Sequence, residues 1–178
     1  MFKYIVIFRS PLLKGVGIEE MSDSSRELFH DYGAFLREKC KGMTKKIYTS
    51  PAGQNIEARD ILEQELRLMP SGEAGIVEAF LHGAYAGRKY QDANVLPVMD
   101  FVKSREKDSD VLVLITHHPY VRLLQQRFAE EYKWKIIPTV FAPSNGGGVI
   151  ISVGEETIEM VQKPTRWQEP PVQGKFRW

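Results

Sequence analysis

The chain is short of several things, and each shortage removes a class of explanation. Its 178 residues hold one cysteine, Cys40, so no internal disulfide can form and a reducing compartment, the cytoplasm, is expected. No signal-peptide pattern opens the sequence, and no apolar run reaches the length needed to cross a bilayer. A soluble protein with no membrane partner is the expectation. Neither sign of charge is in surplus: 24 Lys and Arg stand against 23 Asp and Glu, a net +1. That argues against general binding to nucleic acid and confines any basic site to a local patch. Among the four histidines, the adjacent pair His117-His118 has neither the spacing nor the carboxylates of a metal site, so neither metal nor cofactor is expected. No repeat and no linker divides the chain. Residues 1–163 read as one domain of ordinary size, and 164–178, rich in Pro, Gln and Trp without period, as a tail.

What is present is organised around residues 110–124, DVLVLITHHPYVRLL. The β-branched run 111–115 reads as a strand buried on both faces, hence the centre of an α/β sheet. It stops at Thr116-His117-His118-Pro119, after which Tyr120, Val121, Leu124 and Phe128 recur at helical spacing. In open α/β sheets the ligand crevice lies beyond the carboxyl ends of the strands, and a helix N-terminus there favours anions.

Other strand ends carry polar groups too. Residues 2–8 (FKYIVIF) read as a second buried strand ending at Arg9-Ser10-Pro11, and 12–20 as a loop over the same edge. Ser22 or Asp23 caps a helix with Leu28, Tyr32, Phe35, Leu36 and Cys40 inward and Gly42 as its stop. His30 reads as a partly exposed helix histidine. Residues 45–49 (KKIYT) form a short strand before Ser50-Pro51, and a helix over 53–66 turns Ala58, Ile61, Leu62 and Leu66 inward, leaving Glu57, Arg59, Asp60 and Glu63 as a solvated face. A brief strand at 67–69 and a helix bearing Ile76, Val77, Phe80, Leu81 and a structural His82 flank the turn Pro70-Ser71-Gly72-Glu73. Pro97 starts or bends a helix within 90–104. Residues 136–141 look β-like, and 149–153 with 157–161 read as a C-terminal hairpin.

Four strand ends thus present Arg9-Ser10, Ser50 to Gln54, Glu73 and His117-His118. In their order they resemble the histidine phosphatase superfamily, of phosphoglycerate-mutase-like fold, and most closely its small bacterial phosphohistidine phosphatase branch. There the first strand ends in Arg-His-Gly, the second motif reads Ser-Pro-x-x-Arg-Ala, and the last strand ends in Ser/Thr-His. This chain has YIVIFRSP, YTSPAGQNIEARDIL and VLVLITHHPYVRLL, with LMPSGEAGIVEAFL where the small branch bears an acid. The resemblance implies a three-layer α/β/α fold with a mostly parallel sheet, to which the hairpin is added.

It also implies a chemistry. In that family the histidine attacks phosphorus, two arginines and a second histidine hold the phosphoryl oxygens, and an acid protonates the leaving group. Carried over, Arg9 matches the first arginine and His117 the second histidine. The nucleophile falls on Ser10, the following glycine on Pro11, the second arginine on Gln54 and the usual alanine on Asn55. A serine Oγ sits well short of an imidazole Nε2, and a neutral amide hydrogen-bonds more weakly than a guanidinium. Glu73 stands in the acid segment, where capping explains a glutamate equally well. His118, next to His117, is expected to point away from a pocket that His117 faces.

The implied function is therefore a catalytically impaired phosphatase-like protein. Its catalytic set would be Arg9, Ser10, His117 and Glu73, and its phosphate set Arg9, Gln54, His117 and Ser50. Its partner would be a phosphorylated small molecule or a phosphoprotein. The alternatives are an active phosphatase or phosphotransferase with a relocated nucleophile, and an interaction module contacting a protein partner through its tail.

Overall fold

The computed structural model describes residues 1–16, 18–69, 95–135 and 139–161. Tyr4–Arg9 (β1) is a strand whose interior is wholly buried. It is followed by a short antiparallel ribbon, Leu13–Gly15 (β2) with Ile18–Met21 (β3), where the sequence suggested a loop. Two glycines and little hydrophobic alternation hid that ribbon from a reading of period. Asp23–Lys39 (α1) is capped by Ser22, whose side chain accepts from the Ser25 amide, and it ends at Cys40 rather than at Gly42, which takes φ +73° in the turn beyond.

Lys45–Thr49 (β4) leads into Gly53–Leu66 (α2). Arg67 then adopts a left-handed conformation and donates its amide to Gln64 O, closing the helix. The brief strand expected at 67–69 is replaced by this turn. Leu96–Ser104 (α3) has Pro97 in its first turn, where a missing amide costs nothing. Val111–Thr116 (β5) and His118–Glu131 (α4) follow. Residues 139–141 are not strand, and Gly148–Ser152 (β6) and Thr157–Met160 (β7) make the expected hairpin. Glu73, His82 and the tail from 164 lie outside the described residues.

The five-stranded sheet runs β4-β5-β1-β6-β7, with β4, β5 and β1 parallel and β6 and β7 antiparallel at one side. Side chains alternate across it, as the pleat requires. Ile5, Ile7, Leu112, Leu114, Val149 and Ile151 pack with α3 and α4, while Val6, Phe8, Val113, Ile115 and Ile150 pack with α1 and α2. The result is an α/β fold, a mostly parallel sheet with helices on both faces. The outer face of α2 does more than meet water. Glu57 accepts from the Met21 amide and pairs with Arg26, and Glu63 is buried.

The junction of β1 with β6 is tight. A Cβ placed on Gly148 would lie 2.5 Å from Phe8 Cδ1 and 3.1 Å from Ile7 O. Gly148→Ala is therefore expected to lower stability by about 1–3 kcal/mol through overpacking, read as a lower urea midpoint. An unchanged midpoint would contradict this packing.

Candidate anion cleft

β1 and β5 run side by side in parallel, with Arg9 opposite Thr116. Their ends stay joined one residue further, since the Ser10 amide donates to Thr116 O at 2.8 Å. The Ser10 carbonyl accepts from the Gly146 amide at 3.0 Å, which brings residues 143–147 against the same edge. β4 reaches it from the other side, with the Ser50 amide donating to Ile115 O at 3.1 Å. Three strand ends and one loop thus surround a cleft of about 210 Å³ lined by Arg9, Ser10, Pro11, Leu13, Gln54, His117, His118 and Asn145. Among the described lining residues Arg9 is a cation and none is a carboxylate.

A chain of polar contacts fixes the back of the cleft. Ser10 Oγ lies 2.9 Å from His117 Nδ1 and 3.2 Å from Thr116 O. On the other side of the ring, Ser50 Oγ is 3.4 Å from His117 Nε2 and accepts from Asn55 Nδ2. Both imidazole nitrogens therefore face serine oxygens, and either tautomer can be satisfied. With the proton on Nδ1, the ring donates to Ser10, Ser10 donates to Thr116 O, and Ser50 donates to Nε2. With it on Nε2, the ring donates to Ser50 and Ser10 donates to Nδ1.

Arg9 donates through Nη1 to Pro143 O at 3.0 Å, which spends one of five N–H donors and steadies the guanidinium. Gln54 lies in the first turn of α2 and lines the cleft as a neutral amide. Ser50 is fully buried and meets the cleft only through His117. Arg59 pairs with Asp60 at 2.8 Å and does not line the cleft.

Two residues enter that motif matching passed over. Asn55, fully buried, supports Ser50 through Nδ2 and leaves its Oδ1 without a partner; its departure from the alanine of the motif was the only signal. His118 lines the cleft beside His117, against the expectation that it points away. The alternation rule applies within a strand, but β5 ends at Thr116, His117 is the helix N-cap, and His118 opens α4. Burial first, and then the Arg9 and Arg122 charges, hold the His118 imidazole below its ordinary pKa. No group of three or more His, Cys, Asp or Glu able to hold a metal exists among the described residues.

No family model matches the chain, and no curated protein matches it. Solved structures do. The protein histidine phosphatase SixA complexed with tungstate superposes with a TM-score of 0.60 at 13% identity, covering 90% of this chain and 95% of its own. YhfR of Bacillus stearothermophilus gives 0.55 at 16% identity, covering 88% and 94%. Phosphoglycerate mutase from Plasmodium falciparum gives 0.50 at 11% identity, covering 98% of each chain. The fold is that of the phosphoglycerate-mutase-like α/β proteins. Its structural neighbours are phosphohistidine phosphatases of the SixA kind and other members of the histidine phosphatase superfamily.

If Arg9 and His118 share the cleft, removing the guanidinium must ease protonation of the imidazole. Arg9→Gln is expected to raise the His118 titration midpoint, followed by NMR of the ring protons, while burial keeps it below histidine's ordinary value. A midpoint that does not move would separate the two groups.

Proposed function

We propose that the chain is a histidine phosphatase superfamily member that binds a phosphate-bearing ligand in this cleft and is catalytically impaired. The observation that carries this reading is the meeting of Arg9, Gln54 and His117 around a serine, at the strand edge where the superfamily's phosphohistidine forms. Without an imidazole at position 10, no neutral ring nitrogen is aimed at phosphorus from β1, so no phosphohistidine can form at that position. With Gln54 in place of an arginine, one charge is missing from the groups that would offset the transition state, the largest single source of catalysis in such sites. A protein of the same fold, SixA, has been solved in complex with tungstate, a tetrahedral oxyanion, which fits a reading in which this fold takes an anion. Glu73 belongs to this proposal as the acid, by sequence alone. The ligand is a phosphorylated small molecule or a phosphoprotein, and a cytoplasmic setting fits a chain with one buried cysteine.

One contact favours a second reading. Ser10 Oγ and His117 Nδ1 stand 2.9 Å apart, the separation of a hydroxyl from a base that could take its proton. In that case Ser10 Oγ bonds to phosphorus as its proton passes to Nδ1, the bond from phosphorus to the leaving oxygen breaks, and that oxygen takes up the proton from Nδ1 and leaves as an alcohol, with phosphoserine at position 10. The same serine also faces the Thr116 carbonyl, which competes for its hydrogen.

A panel of phosphoesters assayed together with a tungstate titration tests both. The first reading expects tungstate binding lost in Arg9→Ala, turnover near background, and no covalent adduct by mass spectrometry. A phosphoryl adduct on Ser10 supports the second reading, and turnover abolished by Arg9→Ala or His117→Ala overturns the first. Gln54→Arg is expected to tighten tungstate binding by about fivefold, since a charge-assisted hydrogen bond exceeds a neutral one by about 1 kcal/mol.

A further inference from the structure

The charges in the cleft are unbalanced for the ligand it is proposed to take. Among the described lining residues a doubly charged oxyanion would meet one permanent cation, Arg9, which already gives one N–H to Pro143 O. Position 54 offers a neutral amide, and both nitrogens of His117 already face serine oxygens. Among the described residues His118 is the remaining ionisable group on the lining, at the first position of α4. We infer that His118 supplies the second positive charge, taking up a proton as the anion binds and so standing in for the guanidinium that position 54 lacks. This rests on the anion-cleft reading above and adds to it a dependence of binding on pH.

The electrostatics run in one direction. In the free protein, among the described residues, the charged groups acting on His118 are Arg9, from β1, and Arg122, one turn along its own helix, with the His117 ring beside it. Burial first, and then the Arg9 and Arg122 charges, disfavour a positive charge on the ring. An anion seated against Arg9 reverses this: it offsets the guanidinium's field and adds a negative charge of its own, so the protonated ring becomes the favoured form. The His118 pKa is then higher in the complex than in the free protein. By linkage, the gain in affinity is fully present below the free-state pKa and is lost as pH rises through the bound-state pKa. Such a cleft takes up its ligand in mildly acid conditions and releases it as pH rises.

Sulfate is a suitable probe, because its charge stays constant where histidine titrates. Calorimetry of sulfate binding to the full chain, run across pH in two buffers of different ionisation heat, counts the protons taken up. The wild type is expected to take up a proton and to lose affinity with rising pH, by at most about tenfold per pH unit for one coupled proton. His118→Gln should bind several-fold more weakly in acid and lose most of that slope and proton uptake. His118→Lys, with a fixed charge, should bind with little dependence on pH, and it serves as the check that a weak Gln variant has not simply misfolded. If His118→Gln keeps the wild-type slope and proton count, the inference is overturned and the anion cleft stands. If the wild type binds no sulfate at any pH, both fall.

Discussion

The parallel pairing of β1 with β5 is the constraint on which the rest depends. It sets Arg9 opposite Thr116, ties the Ser10 amide to the Thr116 carbonyl, and so fixes how far apart the guanidinium and the two histidines can be. The pairing is held by burial on both faces: every residue of β5 is buried, as is the interior of β1. Because side chains alternate strictly, a slip of one residue would exchange the two apolar faces and is excluded by both cores at once. The precision of the cleft is thus inherited from hydrophobic packing some distance behind it.

The polar layer at the strand ends converts that rigidity into orientation. Asn55, Ser50, His117, Ser10 and Thr116 form a continuous series of contacts that holds one imidazole at both nitrogens. In a phosphoryl-transfer site such a ring would be aimed at substrate. Here serines face both of its nitrogens, and on the proposed reading the charge that an anion needs is left to Arg9 and to the ring next along. On the proposed reading, loss of the nucleophile and a change in the electrostatics of binding are two consequences of the same few replacements.

Much of the fold was legible in the sequence because it rests on long apolar runs and clear punctuation. The run 111–115, the strand 45–49, the helix 53–66 and the Ser22 cap follow from period and capping alone. The β2–β3 ribbon was not legible, since β2 is short, exposed and ends in glycine, and β3 sends Met21 alone into the core among the described residues. Nor was the turn at Arg67, where a left-handed residue ended a helix that composition would have continued as a strand. At the site, Arg9, Ser10, Gln54 and His117 could be placed by motif order. His118 could not, because its direction depends on where the strand stops and the helix starts, within one residue. Asn55 could not either, since its role is read only from what lies beside it.

The central claim is that Arg9 and the His117–His118 corner form one anion site. The most direct measurement is a crystal structure of the protein soaked in tungstate, whose scattering marks the ion without ambiguity. The account predicts a single tungstate in the cleft, its oxygens within hydrogen-bonding distance of the Arg9 guanidinium and the His118 ring. Tungstate bound only elsewhere on the surface, with the cleft left to solvent at saturating concentration, would contradict it.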